Sequence, residues 1–138
     1  MSTPADLKAQ IAEWRAVMAD PTPRPMRSAL ESTFARRACK VDMCAPFSGG
    51  TVDHLLDAYV ALYAAMPDLE RRDLIVLAGT TPQGQDWVGC MGNYMGTFQR
   101  PFLDIPPTGH LAHMRYHEFF RLEDGMITEA QIIWDIPE

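Results

Sequence analysis

The 138-residue sequence contains no apolar run approaching the roughly 20 residues needed to cross a bilayer, so no membrane span is expected. Its first residues, MSTPADLKAQIAEW, are polar and amphipathic and lack the apolar centre of a secretory signal, which points to a cytoplasmic protein. Cysteine is scarce. Cys39, Cys44 and Cys90 form no CxxC arrangement and no His-x-x-His cluster accompanies them, so reduced, partly buried thiols are expected and no metal site. There is no Lys/Arg stripe, and the formal charge of −6 argues against nucleic acid as a partner. What remains, 47% apolar and 22% charged residues, is ordinary for a globular chain and enough to build one domain over residues 1–138.

Two periods divide the chain. In residues 5–19, Leu7, Ile11, Trp14 and Val17 recur at helical spacing until the prolines of DPTPRP (20–25) end the pattern. A second helix is expected over 26–37, and a short strand in ACKVDMC (38–44). After SGG (48–50), Thr51 can cap a third helix whose apolar face carries Val52, Leu55, Leu56, Tyr59, Leu62 and Tyr63. From Asp73 the period shortens to that of strands. DLIVLAG (73–79) has the continuous apolar pattern of a strand covered on both faces. DWVGCMGNYMGTF (86–98) is a strand whose three glycines call for a bend, a bulge or a close approach to its backbone. LAHMRYHEFFRL (111–122) and MITEAQIIWD (126–135) are joined by EDG, whose Asp-Gly is a hairpin turn. Helices first and long antiparallel strands after make an α+β plan: a bent sheet covered on one face by helices and enclosing a cavity.

MPDLERRDLIVLAG, WVGCMGNYMGTF, IPPTG and RYHEFFRLEDGMITEAQIIWDIPE, in that order over residues 51–137, resemble the SnoaL-like polyketide cyclase (ester cyclase-like) family of the nuclear transport factor two superfamily. The resemblance implies a cone-shaped curved antiparallel sheet covered by N-terminal helices. It also implies a homodimer packed through the sheet and an intramolecular aldol closure without cofactor or metal. Relatives of the same fold include isomerases, hydrolases, dehydratases and proteins with no catalytic role, so the fold leaves the reaction open.

Chemistry without a metal needs an ionisable group in an apolar cavity. Counted from the DG hairpin, Asp135 resembles the position of the acid/base aspartate of the cyclases and is the first catalytic candidate. On the neighbouring strand Arg115 and His117 share one face with His113 and Phe119; facing the cavity, they could stabilise an enolate oxygen or relay charge. A hydrogen-bonded structural or interface histidine is the other reading of His117. Asn93 and Tyr94 could orient a carbonyl, and Trp87, Phe102 and Phe119 could line the cavity. On the last strand Ile127, Glu129, Gln131, Ile133 and Asp135 are expected on one face.

QRPFLDIPPTG, between the two longest strands, is long, stiff and apolar for a connection. Phe102, Leu103 and Ile105 are expected to bury, making a flap over the cavity, a plug, or a subunit contact. The resemblance, together with these ionisable residues, implies a cofactor-free acid/base enzyme acting on a small apolar ketone, ester or polyketide-like molecule, of aldol cyclase, isomerase or hydratase type. The alternative is a non-catalytic protein that holds a small hydrophobic ligand in the same cavity.

Overall fold

The computed structural model describes residues 3–18, 40–43, 50 and 52–135. The helix expected over 26–37, and Cys39 and Cys44, lie outside the described residues; Cys90 is buried. Helix α1 (Pro4–Met18) starts with a reciprocal cap. The Thr3 N–H donates to Asp6 Oδ2 at 3.1 Å and the Asp6 N–H to Thr3 Oγ1 at 3.2 Å, with Pro4 in the first helical position. Among its described side chains Leu7 and Ile11, one turn apart, are buried. Strand β1 (Lys40–Met43) leads to helix α2 (Val52–Ala65), which buries Leu55, Leu56, Tyr59 and Leu62. Asp53 in its first turn suits the positive end of the helix dipole.

Four long strands follow: β2 (Glu70–Thr80), β3 (Asp86–Thr97), β4 (Leu111–Glu123) and β5 (Met126–Asp135). The sheet order is β1-β5-β4-β3-β2, antiparallel except that β1 runs parallel to β5. Asp124 and Gly125, both at positive φ, make the two-residue hairpin turn between β4 and β5. The α+β plan with helices on one face of a curved sheet is the one the sequence implies.

Alternation sorts the sheet into two faces. Met114, Tyr116, Glu118, Phe120 and Leu122 of β4 turn toward the helices with Val88, Cys90 and Tyr94 of β3, and Ala130, Ile132 and Trp134 of β5. Two details depart from the sequence pattern. β2 is an edge strand, and Leu74, Ile75 and Leu77 are exposed, so its apolar run is not covered on both faces. On β5 the register shifts where Arg121 pairs Glu129 but Leu122 pairs Ile127. This bulge switches parity, and Ile127 is buried with Ala130, Ile132 and Trp134 instead of lying on the face of Asp135.

The β3–β4 connection is tied down at both ends. The Phe98 N–H donates to His110 O and the Gly109 N–H to Phe98 O, while the Gln99 N–H reaches Ala65 O at the end of α2. Asp68 clamps Thr97 through its N–H at 2.7 Å and its hydroxyl at 2.8 Å. Phe102 and Ile105 exchange backbone hydrogen bonds of 3.1 and 2.9 Å around a tight turn. Phe102 is buried there, a burial worth about 2–3 kcal/mol. Leu103 does not bury: the turn places it at φ 56° with its side chain 40% exposed. A left-handed leucine is strained, so Leu103→Gly is expected to raise stability by about 0.5–1 kcal/mol in urea unfolding.

Candidate functional site

Inner-face residues meet in rows across the sheet. Arg71, Tyr94 and Met114 form one row, and Asp73, Gly92, Tyr116 and Trp134 the next. Val76, Cys90, Glu118 and Ile132 form a third. In the midst of this apolar wall stands one carboxylate, Glu118, whose side chain has no exposure at all.

Every hydrogen bond found for Glu118 comes from a donor brought by another element. Arg71 Nη1 of β2 donates to Oε1 at 2.7 Å, and the Tyr59 hydroxyl of α2 to the same oxygen at 3.3 Å. Oε2 accepts from the Tyr94 hydroxyl of β3 and the Trp134 indole Nε1 of β5, each at 2.8 Å. Arg71 Nη1 also donates to the Tyr94 oxygen at 2.6 Å, closing a triangle. The aromatic rings pack on one another, with the Tyr94 and Tyr116 centroids 4.7 Å apart and Trp134 5.7 Å from both Tyr94 and Tyr59.

Burial alone would push the Glu118 carboxyl up. The Arg71 charge and the donors from Trp134, Arg71 and Tyr94 more than offset it, and the group is held below the ordinary carboxylate range. Burial likewise opposes the charge on Arg71, but Glu118 and the tyrosine oxygens around it secure the guanidinium. Tyr94 is pushed well up by burial against the pull of Arg71, so it stays a neutral donor. Glu118 is therefore a fixed anion that holds its neighbours in place, and a weak base.

A second carboxylate lies at the more open side of the cluster. Asp73 accepts from the Tyr116 hydroxyl and sits 3.6 Å from Arg71 Nε, with its side chain 27% exposed. The Tyr116 ring lies 4.1 Å from the guanidinium carbon, a stacking cation–π contact. Two buried nitrogens of Arg71, Nε and Nη2, have no hydrogen-bond partner.

Along the same face, at the end of α2, the β3–β4 connection roofs a cavity of about 390 Å³. Phe98, Phe102, Ile105, Leu111 and Met114 wall it, with Thr108, His110 and His113 as polar groups. Met114 is the cross-strand partner of Tyr94, so this cavity adjoins the Arg71 row. Its size is within the range of small-molecule sites.

The residues singled out from sequence divide between the faces. Tyr94 belongs to the Glu118 cluster and Phe102 to the cavity wall. Asp135, Arg115 and Asn93 form one row on the outer face, with Arg72 at its end. His117 is in the next outer row, between Met91 and Ile133. Trp87 and Phe119 flank a shallow outer depression of about 310 Å³ with Leu77. From Arg115 onward the odd-numbered residues of β4 thus point away from the helices, and Asp135, His117 and Arg115 do not share a face with Tyr94. Glu118, Arg71, Asp73, Tyr116 and Trp134 were not singled out from sequence. One signal was available: Glu118 is the lone charge in the alternation Met114, Tyr116, Glu118, Phe120, Leu122.

Among the described residues no group of three His, Cys, Asp or Glu side chains is placed to hold a metal ion. No described helix is long and apolar enough to cross a membrane.

A curved mixed sheet covered by helices matches the NTF2-like α+β fold of solved structures. The sequence model of SnoaL-like polyketide cyclases matches residues 33–136, and the chain belongs to that family. Solved structures share the fold at low identity. AclR of Streptomyces galilaeus superposes with a TM-score of 0.76 at 19% identity, over 96% of this chain and 81% of its own. TsrD of Streptomyces laurentii gives 0.74 at 16% identity, over 98% and 92%. An NTF2-like protein of Burkholderia thailandensis gives 0.65 at 21%, over 98% and 92%. No curated protein matches the chain by sequence.

Proposed function

We propose that the chain is a cofactor-free acid/base enzyme acting on a small, largely apolar ketone, ester or polyketide-like molecule by aldol cyclisation, isomerisation or hydration. The observation that carries this is the inner-face cluster, in which Glu118 fixes Arg71 while Asp73, hydrogen-bonded to Tyr116, occupies the more open side. Asp73 takes a proton from the carbon beside the substrate carbonyl, Tyr116 holds that carboxylate in place, and Arg71 stabilises the charge that develops. The apolar body of the substrate lies in the cavity under the β3–β4 connection. Asp135, His117 and Arg115 are given no part in this chemistry, because they project from the opposite face. The protein works in the cytoplasm as a homodimer that covers the outer sheet face, where Leu77, Phe119 and Ile133 are 66, 46 and 58% exposed.

Exchange of the α-protons of cyclohexanone in deuterated buffer, followed by proton NMR, tests the proposal. The native protein is expected to accelerate exchange, and Asp73→Asn to reduce that acceleration by about 100-fold or more. An unchanged rate in the variant would remove Asp73 from the reaction. A second reading, binding of a small hydrophobic ligand without catalysis, is favoured by the largely apolar cavity walls and by the saturation of Glu118 with donors. No acceleration by the native protein, together with a dissociation constant for the ketone, would select it.

A further inference from the structure

Strand pairing sets a register on the outer sheet face for the charged residues that the inner-face site leaves unused. Arg72, Asn93, Arg115 and Asp135 make one row across β2, β3, β4 and β5, and Ile75, Met91, His117 and Ile133 make the next. Gly89 and Phe119 are central in a third row, and Trp87 and Arg121 in a fourth that ends on Glu129. Three features of this face are those of a covered surface. Ile75 and Ile133, at opposite flanks of one row, are 45% and 58% exposed. Arg121 Nε is buried without a hydrogen-bond partner, and the ion pair of Arg121 with Glu123 is 3.9 Å long. The Phe119 ring leans across onto Gly89, toward the seam between β3 and β4.

Two copies packed face to face are related by a two-fold axis lying in the contact, either across the strands or along them. An axis across the middle of the four rows reverses each strand on itself. Arg115 then faces Arg121 of the partner subunit and Asp135 faces the partner's Glu129, like charge against like. An axis along the seam between β3 and β4 reverses each row instead. Arg72 then faces the partner's Asp135, and Ile75 the partner's Ile133. Trp87 meets the partner's Arg121 as a cation–π pair, and the two Phe119 rings meet at the axis. Gln131, whose amide is held by Asp42 and Glu129, turns only its methylenes toward the partner's Leu77. Both arrangements keep the strands of the two sheets aligned, so charge decides between them.

We infer that the outer face is self-complementary about the axis along β3 and β4, so that a second copy seats on it with Asp135 of each subunit against Arg72 of the other. This rests on the homodimer reading above and is independent of the acid/base chemistry. It gives Asp135 and Arg72 a role in assembly. Within one chain Arg72 reaches Glu70 at 3.3 Å, but the two side chains are 64% and 66% exposed, and such a pair is readily exchanged.

Sedimentation equilibrium of the native chain, Arg72→Asp, Asp135→Arg and the double variant, each checked for native circular dichroism, tests the register. The native chain is expected to sediment as a dimer. Each single variant sets two like-charge pairs in the interface and is expected to raise the dimer dissociation constant about tenfold or more. Arg72→Asp/Asp135→Arg exchanges the charges in both copies and is expected to return to within about threefold of native. A native dimer whose single variants associate as tightly as native, or whose double variant is no tighter than the singles, overturns the inference and leaves the homodimer reading standing. Tighter association of Asp135→Arg alone would select the axis across the strands and likewise overturn it. A native monomer overturns both.

Discussion

Glu118→Leu is expected to lower the stability of the protein by about 3–5 kcal/mol, because it strands a buried guanidinium. The carboxylate has no exposure and is the acceptor for Arg71, Tyr94, Tyr59 and Trp134. Removing it leaves one charged donor and three neutral ones without that acceptor, in a wall too apolar to supply another. Glu118→Gln keeps the shape but turns an N–H₂ group toward donors, and should fall between native and leucine. The double variant Arg71→Met/Glu118→Leu removes both charges together and is expected to recover most of the lost stability. Recovery would show that the pair is retained for the site and not for the fold. Failure of the double variant to recover would make the pair a structural requirement. The pH dependence has a definite sign. A carboxyl held below its unfolded value contributes fully above the ordinary carboxylate range, and its contribution is lost as pH falls through its own lower value. Urea unfolding at several pH values, native against Glu118→Gln, measures this difference.

Gly92→Ala should be nearly as damaging, at about 3 kcal/mol, the upper end for overpacking. A Cβ on Gly92 would overlap the Arg72 carbonyl oxygen and the Tyr116 hydroxyl, and would lie 2.8 Å from the Arg72 carbonyl carbon. Backbone on the neighbouring strand cannot give way as a side-chain tip does. The site lies at the β2 irregularity, where the register shifts between Asp73 and Ile75, and Gly92 is the partner of Asp73. The variant would therefore also displace Tyr116 from Asp73 and weaken the stack on Arg71. Two other glycines calibrate the effect. At Gly89 the obstruction is the half-exposed ring of Phe119, which can turn aside, so Gly89→Ala should cost less. At Gly79 nothing lies within 4 Å of an added Cβ, and Gly79→Ala should be close to neutral. Denaturation of the three variants side by side checks the order. Equal losses at all three would mean that close approach is not what these glycines provide.

The strand half of the fold was legible because its signals are local. Alternation in β4 and β5 and the Asp-Gly turn between them depend on neighbours in sequence, and they fix both strands and their pairing. The apolar run of β2 misled because Leu74, Ile75 and Leu77 lie on an exposed edge strand, and a run of hydrophobic residues carries no record of what covers it. Which face of the sheet is inner was not readable from β4, since His113, Arg115 and His117 give one face more chemistry while Glu118 gives the other its single charge. Chemistry-rich residues drew attention to the outer face. The stronger clue was the isolated carboxylate among Met114, Tyr116, Phe120 and Leu122, because a charge in an apolar row must have a partner. That partner could not be named from sequence. Arg71 stands beside Arg72 at the start of β2, and only the pairing of β2 with β3 shows which of the two turns inward.

The face on which a ligand binds is the point from which everything about function follows. A 15N-resolved titration of the native protein with cyclohexanone reports on both faces at once. The predicted result is movement of the Trp134 indole N–H and the Gly92 amide with a still signal from the His117 ring. Movement confined to His117 and the amides around Arg115 and Asp135 would put the ligand on the outer face and contradict the site described above.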